Sequence, residues 1–152
     1  ALEVTADCKT CHQTEDVAAI RMPTSPDDYD GDGNVKEGIQ GEIETLQTQL
    51  LTAIQAYAKD VAKTPIVYSA SSYPYWFADT NANGKGDPDE IKAANGYKAW
   101  TPRLLQAAYN YQYVLKDPGA FVHNAKYVMQ VMIDSIEDLG TKVKVDFKGK
   151  RP

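Results

Sequence analysis

The sequence predicts a mainly α protein, a single helical domain with irregular acidic loops and a short C-terminal strand. Three observations carry this. Apolar residues recur at steps of three and four over the stretches 36–62 and 124–139, the period of a helix with one buried face. Thr101-Pro102 opens another such stretch, pairing an N-cap hydroxyl with proline at the first helical position. Two-residue alternation is confined to Val143, Val145 and Phe147, against Lys144 and Asp146, near the chain end.

From the N-terminus, a short helix is expected over Gln13 to Ile20, ended by Pro23 and Pro26. The long helix over 36–62 buries Ile39, Ile43, Leu46, Leu50, Ile54, Tyr57 and Val61, and Thr64-Pro65 stops it. The segment from Ile66 to Phe77 is rich in aromatics but broken by Ser71, Ser72 and Pro74, so it reads as extended or irregular core filling. The Thr101 helix runs to about Lys116, where Asp117-Pro118-Gly119 turns the chain. The last helix opens at Asn124 and ends at Leu139, with Gly140 as the residue beyond.

A length of 152 residues suits one domain with its own core. The division expected is a body over 1–140 and a basic tail over 141–152. The tail holds Lys142, Lys144, Lys148, Lys150 and Arg151 against Asp146, a charge of +4, leaving 11 basic and 20 acidic residues upstream. Such a tail either frays in solvent or docks on an acidic surface of a neighbour, including another copy. So acidic a body is a poor partner for nucleic acid, and no apolar run is long enough for a membrane span.

The most specific motif is Cys8-Lys9-Thr10-Cys11-His12. C-x-x-C-H is the attachment sequence of covalent c-type haem: two thiols add to the porphyrin vinyl groups, and the following histidine binds iron. A thioredoxin-like pair would follow a strand in a βαβ unit, for which the seven residues before Cys8 leave no room. Zinc needs four ligands, usually in separated pairs, and a Cys8–Cys11 disulfide would close a strained loop. Haem c implies attachment outside the cytoplasm, hence a periplasmic or extracellular location and a leader removed ahead of Ala1.

Only one other histidine exists, His123. It precedes the last helix, where the helix dipole disfavours imidazolium and so favours the neutral ring that iron binds. His12 and His123 are therefore the expected axial pair, which would close the entrance of the last helix over the N-terminal motif. Methionine is the other common sixth ligand. Met22 ranks ahead of Met129 and Met132, which share a helix with the buried face.

Two acidic loops have calcium-site character. The first ligands of one are Asp79, Asn81 and Asn83, with Gly84 at the sharp turn, then Lys85 through its carbonyl, Asp87, and Glu90 in the twelfth place, the EF-hand pattern throughout. The other loop begins equally well with Asp28, Asp30, Asp32 and Asn34. It has Ile39 where the closing glutamate belongs, so Glu37 closes a shortened loop or Glu42 reaches back. Both read as structural Ca2+ clips.

These residues together make the chain look like a c-type cytochrome. The run Trp100-Thr101-Pro102-Arg103-Leu104-Leu105, continuing to Tyr113, is similar to stretches in secreted multihaem cytochromes of environmental bacteria. So is Asp117-Pro118-Gly119-Ala120-Phe121-Val122-His123-Asn124. The resemblance implies that a histidine in the place of His123 is a haem ligand. It departs in haem count, since this chain has one attachment motif. Conduction over distance would then require stacked copies, a homo-oligomer or filament, with the tail adding to a neighbour's edge. The function expected is non-enzymatic electron transfer between redox partner proteins. The alternatives are a five-coordinate haem with peroxidase or gas-binding activity, and a calcium-dependent assembly module. No acid/base or nucleophile constellation stands out.

Overall fold

The computed structural model describes residues 6–21 and 25–152. Its elements are α1 (Ala6–His12), a 3-10 turn (Val17–Ala19), α2 (Ile39–Asp60), β1 (Ile66–Tyr68), β2 (Trp76–Ala78), a second 3-10 turn (Ala93–Asn95), α3 (Pro102–Leu115), α4 (Ala120–His123) and α5 (Ala125–Gly140). The fold is mainly α, as its periodicity predicts.

Helices α2, α3 and α5 pack mutually and build the core. The buried stripe of α2 carries Ile43, Leu46, Leu50, Ile54 and Tyr57, meeting Leu104, Ala108 and Tyr111 of α3 and Val128, Met132, Ile136 and Leu139 of α5. Thr101 caps α3 by accepting from the Leu104 N–H at 3.2 Å. Asn110 reaches Ser135 across the α3–α5 contact at 2.9 Å, giving a half-buried polar pair a partner on each helix. Gly38 precedes α2 where the chain crosses the first 3-10 turn: a Cβ there would lie 1.8 Å from the Ala18 carbonyl oxygen, so only glycine fits.

The aromatic segment is ordered differently from expectation. β1 and β2 form an antiparallel hairpin, with Val67 opposite Phe77 and a cis Tyr73–Pro74 bond in the connection. Tyr68, Trp76, Trp100, Tyr97 and Tyr111 make a chain of edge and tilted ring contacts with centroids 4.8–6.3 Å apart. This cluster fills core between the hairpin and α3, and none of its rings lines the cavity that borders α1.

Two local expectations are corrected. The stretch Gln13 to Ile20 makes only a 3-10 turn, while the helix lies earlier, over the cysteine motif itself. The alternation at 143–147 does not make a strand. Val143 is buried and Val145 and Phe147 pack on the core, but the segment has no ladder partner, so its alternation records burial on helices rather than sheet pairing.

Nor does the tail fray or reach outward. Arg151 pairs with Asp134 and Glu137 of α5, and Lys150 with Asp27. The Lys150 N–H donates to the Asp28 carbonyl at 2.8 Å. A Cβ on Gly149 would sit 2.0 Å from the Tyr29 carbonyl oxygen, so tail and first acidic loop meet backbone to backbone. The acidic surface that neutralises the tail is the chain's own.

Candidate functional site

Helix α1 places Cys8 and His12 four residues apart, on one face. That face borders a cavity of about 670 Å³. Ile20, Arg21, Ser25, Asp27 and Tyr29 form another wall, Ile39 comes from the start of α2, and Phe121, Val122, Ala125, Lys126 and Met129 come from α4 and α5. The entrance of the last helix thus stands over the N-terminal motif. Cys11 is exposed and Cys8 half-buried.

The lining suits a large, flat apolar group. Most of it is aliphatic or aromatic, with a few polar atoms at fixed places. Among the described residues, the Nδ1 of His12 is buried without a hydrogen-bond partner. Lys126 stands at the exposed rim, where a cation suits a carboxylate. Cys8 and His12 thus stand where a covalent haem would be held, whereas Cys11 is not among the described residues lining the cavity.

His123 is not among the described residues lining this cavity, although Phe121 and Val122 are. It is the last residue of α4, one before the N-cap of α5. Its Nε2 lies 3.4 Å from Asp117 Oδ1, the ring folding back past Gly119, and the side chain is 60% exposed. Met129, by contrast, is 1% exposed and lines the cavity. Met132 is fully buried and does not line it. Met22 lies outside the described residues.

The acidic loops share one construction. In the loop at 79–90, Asp79 accepts from Asn83 N and Gly84 N at 3.2 and 2.8 Å, and Asn83 accepts from Lys85 N at 2.7 Å. Gly84 takes φ +76°, the left-handed conformation that the turn requires. Glu90, 2% exposed, closes the loop by accepting from Thr80 N and Asn81 N at 2.7 and 3.2 Å. The Thr80 hydroxyl bond, with those backbone bonds, lowers the Glu90 pKa. The amides of Asn81 and Asn83 each donate to Asp87 at 2.8 Å and lower its pKa, so this loop satisfies its own carboxylates.

In the loop at 28–37, Asp28 accepts from Gly31 N and Gly33 N at 2.6 and 2.8 Å, Asp30 from Asp32 N at 3.0 Å, and Asp32 from Asn34 N at 2.6 Å. Asn34 accepts from Lys36 N at 3.3 Å. Glu42 closes it. Its Oε2 accepts from Tyr29 N and Asp30 N at 2.8 and 3.0 Å, the same second and third loop positions that Glu90 holds. Glu42 thus stands where the twelfth-position glutamate would, delivered from one turn inside α2. The signal is in the sequence: Glu42 occupies the apolar stripe, three residues after Ile39 and four before Leu46.

This loop does not satisfy itself. Oxygens of Asp28, Asp30 and Asp32, and of Asp30, Glu37 and Glu42, lie within 4.8 Å of one another. Among the described residues, Asp30 Oδ2 and Glu37 Oε1 are buried without hydrogen-bond partners, and Asp30 is 1% exposed. Burial, reinforced by neighbouring carboxylates, pushes Asp30 up to about 6 and Glu37 up to about 7. Among the described residues, Arg21 supplies the adjacent buried cation, paired with Glu42.

A mainly helical chain thus carries C-x-x-C-H on a helix whose Cys8 and His12 border a largely apolar cavity. Over 99 residues the chain is 30% identical to the C-type polyheme cytochrome OmcB of Geobacter sulfurreducens (strain DL-1 / KN400), covering 60% of this chain and 13% of that protein. Over 157 residues it is 26% identical to the C-type polyheme cytochrome OmcC of Geobacter sulfurreducens (strain ATCC 51573 / DSM 12127 / PCA), covering 86% and 19%. The chain is homologous to these cytochromes and spans less than a fifth of their length. No family model matches it, and no solved structure does. Among the described residues no helix is long and apolar enough to cross a membrane.

Proposed function

We propose that this chain transfers electrons through a c-type haem attached at Cys8 and Cys11, with His12 as the proximal ligand. The observation that carries the reading is the cavity of about 670 Å³ beside α1, whose wall includes Cys8 and His12 of the motif. The haem would supply one-electron chemistry. The chain's own contribution is to hold the group on one helix, exclude water with Ile39, Phe121 and Met129, and place Lys126 at the rim. Covalent attachment places the protein in the periplasm or outside the cell, with redox proteins as its partners.

His123 is the sixth ligand in this reading. Its ring would have to give up the Asp117 contact to bind iron, and the two residues before it line the cavity. Met129 is the second reading, favoured by its burial in the cavity wall. Absorption spectra of the reduced protein test the pair: His123→Ala loses the low-spin spectrum in the first case and Met129→Leu in the second. A high-spin spectrum in the unsubstituted protein would instead support an open position and peroxide or gas chemistry.

Ca2+ is proposed in both loops, through Asp28, Asp30, Asp32, Asn34, Glu37 and Glu42 in one, and Asp79, Asn81, Asn83, Lys85, Asp87 and Glu90 in the other. Oxygen-only ligands around a glycine turn suit a hard cation. The first loop makes the stronger demand because, among the described residues, Arg21 pairs with Glu42 and leaves buried oxygens of Asp30 and Glu37 without hydrogen-bond partners. Stacking of copies into a haem-conducting polymer is a separate proposal, in which the Lys150 and Arg151 end of the tail is already engaged within the chain. Light scattering across salt and calcium concentrations tests it, a monodisperse monomer removing it.

A further inference from the structure

We propose that a calcium ion in the first acidic loop and the haem of the cavity are linked through the buried Arg21–Glu42 pair, so that calcium raises the haem potential. The proposal rests on the haem and calcium reading above and concerns the regulation of that same site.

Arg21 is 9% exposed and borders the cavity. Its guanidinium donates to the carbonyls of Ser25 at 3.0 Å and Glu37 at 3.2 Å, and also to that of Asp27 and to Glu42. One side chain therefore ties Ser25 and Asp27 of the cavity wall to the acidic cluster. Glu42 completes the connection. A single oxygen of this fully buried carboxylate holds the N–H groups of Tyr29, which faces the cavity, and Asp30, which faces the cluster.

Asp30 is what makes the cluster a site rather than a patch of acid. It belongs to both carboxylate triads, is 1% exposed, and has an Oδ2 with no hydrogen-bond partner among the described residues. A bound cation would draw on Glu42, the oxygen donor that Arg21 also uses. Charge added there adjoins a wall of the haem cavity through contiguous, rigidly bonded groups. The loop at 79–90 contributes nothing to that wall among the described residues, and so serves as an internal control.

The sign follows from charge. Oxidised haem carries one more positive charge than reduced haem, so a nearby divalent cation disfavours the oxidised form. Linkage is reciprocal: reduced protein must bind calcium more tightly by the same factor that calcium shifts the redox equilibrium. A factor at the lower end of the usual range of coupling is expected, about fivefold to tenfold. Tenfold corresponds to about 59 mV for a one-electron couple.

The test is spectroelectrochemistry of the haem-loaded protein in EGTA and in calcium chloride at matched ionic strength, with calorimetry counting bound calcium. The midpoint is expected to rise with calcium in the unsubstituted protein and in Asp79→Asn, and to stay fixed in Asp30→Asn. If Asp30→Asn does not fold, Asp32→Asn removes an exposed ligand of the same loop. Reduced protein should take calcium about five- to tenfold more tightly than oxidised protein. Calcium bound at the first loop with no change in midpoint overturns the linkage alone. A shift that survives the first-loop variants, or vanishes in Asp79→Asn, overturns it too. Calorimetry showing no first-loop calcium in the folded, haem-loaded protein overturns the site as well.

Discussion

Replacing Glu42 with glutamine probes the element that holds the first acidic loop, α2 and the cavity wall together. The side chain is 0% exposed and its partner Arg21 only 7%, so neither charge has water to fall back on. Removing one member of a buried pair strands the other, at a cost of about 3–5 kcal/mol. Glutamine keeps an oxygen for the Tyr29 and Asp30 N–H groups, which puts the expected loss at the lower end, about 3 kcal/mol. That is a substantial part of the roughly 5–15 kcal/mol that stabilises an ordinary domain. Urea unfolding of the haem-loaded protein in EGTA at neutral pH measures it, with the slope unchanged. Calcium should widen the gap, because the variant also lacks a ligand. A loss under about 1 kcal/mol would refute the reasoning, since it would place Glu42 in the range of an exposed ion pair.

Four more outcomes rest on the same geometry. Asp30 and Glu37, at about 6 and about 7, sit above their ordinary 3.8 and 4.5, so the calcium-stripped native state holds protons that the unfolded chain releases. Chelated protein should therefore lose stability as pH rises from about 4 to about 7, by up to about 3 kcal/mol from Asp30, and saturating calcium should reverse the trend. Unfolding at pH 5 and pH 8 with and without EGTA checks this, and equal stability in EGTA at both would contradict it. Arg151→Ala should barely move the melt despite its two partners, because all three side chains are exposed, whereas Phe147→Ala should cost about 1–2 kcal/mol through lost packing. Thermal melts compare the two variants directly, and the reverse order would show that the tail is held by charge. Substituting Asp87→Asn, in the loop that satisfies its own carboxylates, should weaken calcium binding there with little change in chelated stability, read by calorimetry and melting.

The three large helices are legible because each buries one stripe, and a stripe leaves its period in the sequence. The cap at Thr101 is legible because its chemistry is local. What escapes depends on distant partners. The hairpin of Ile66–Tyr68 and Trp76–Ala78 hides behind Ser71, Ser72 and Pro74, which look like interruptions until the two ends are seen to pair. The alternation at 143–147 misleads because burial against helices can alternate as a strand does. At the candidate site, C-x-x-C-H names its own chemistry, and the entrance of the last helix stands over it as the search for a second ligand implies. The orientation of His123 is not legible, since Asp117 competes for its ring from six residues earlier. Glu42 is no better a candidate than Glu37 by loop spacing, which favours the nearer residue. The helical phase of α2 favours the other.

The claim on which everything rests is covalent haem at Cys8 and Cys11. Intact-mass spectrometry of the protein made in a host that attaches c-type haem tests it most directly, before and after acid–organic extraction. The account requires a mass gain of one haem that survives extraction and is absent when both Cys8→Ala and Cys11→Ala are introduced. An unmodified polypeptide mass, or haem that the solvent removes, would contradict it.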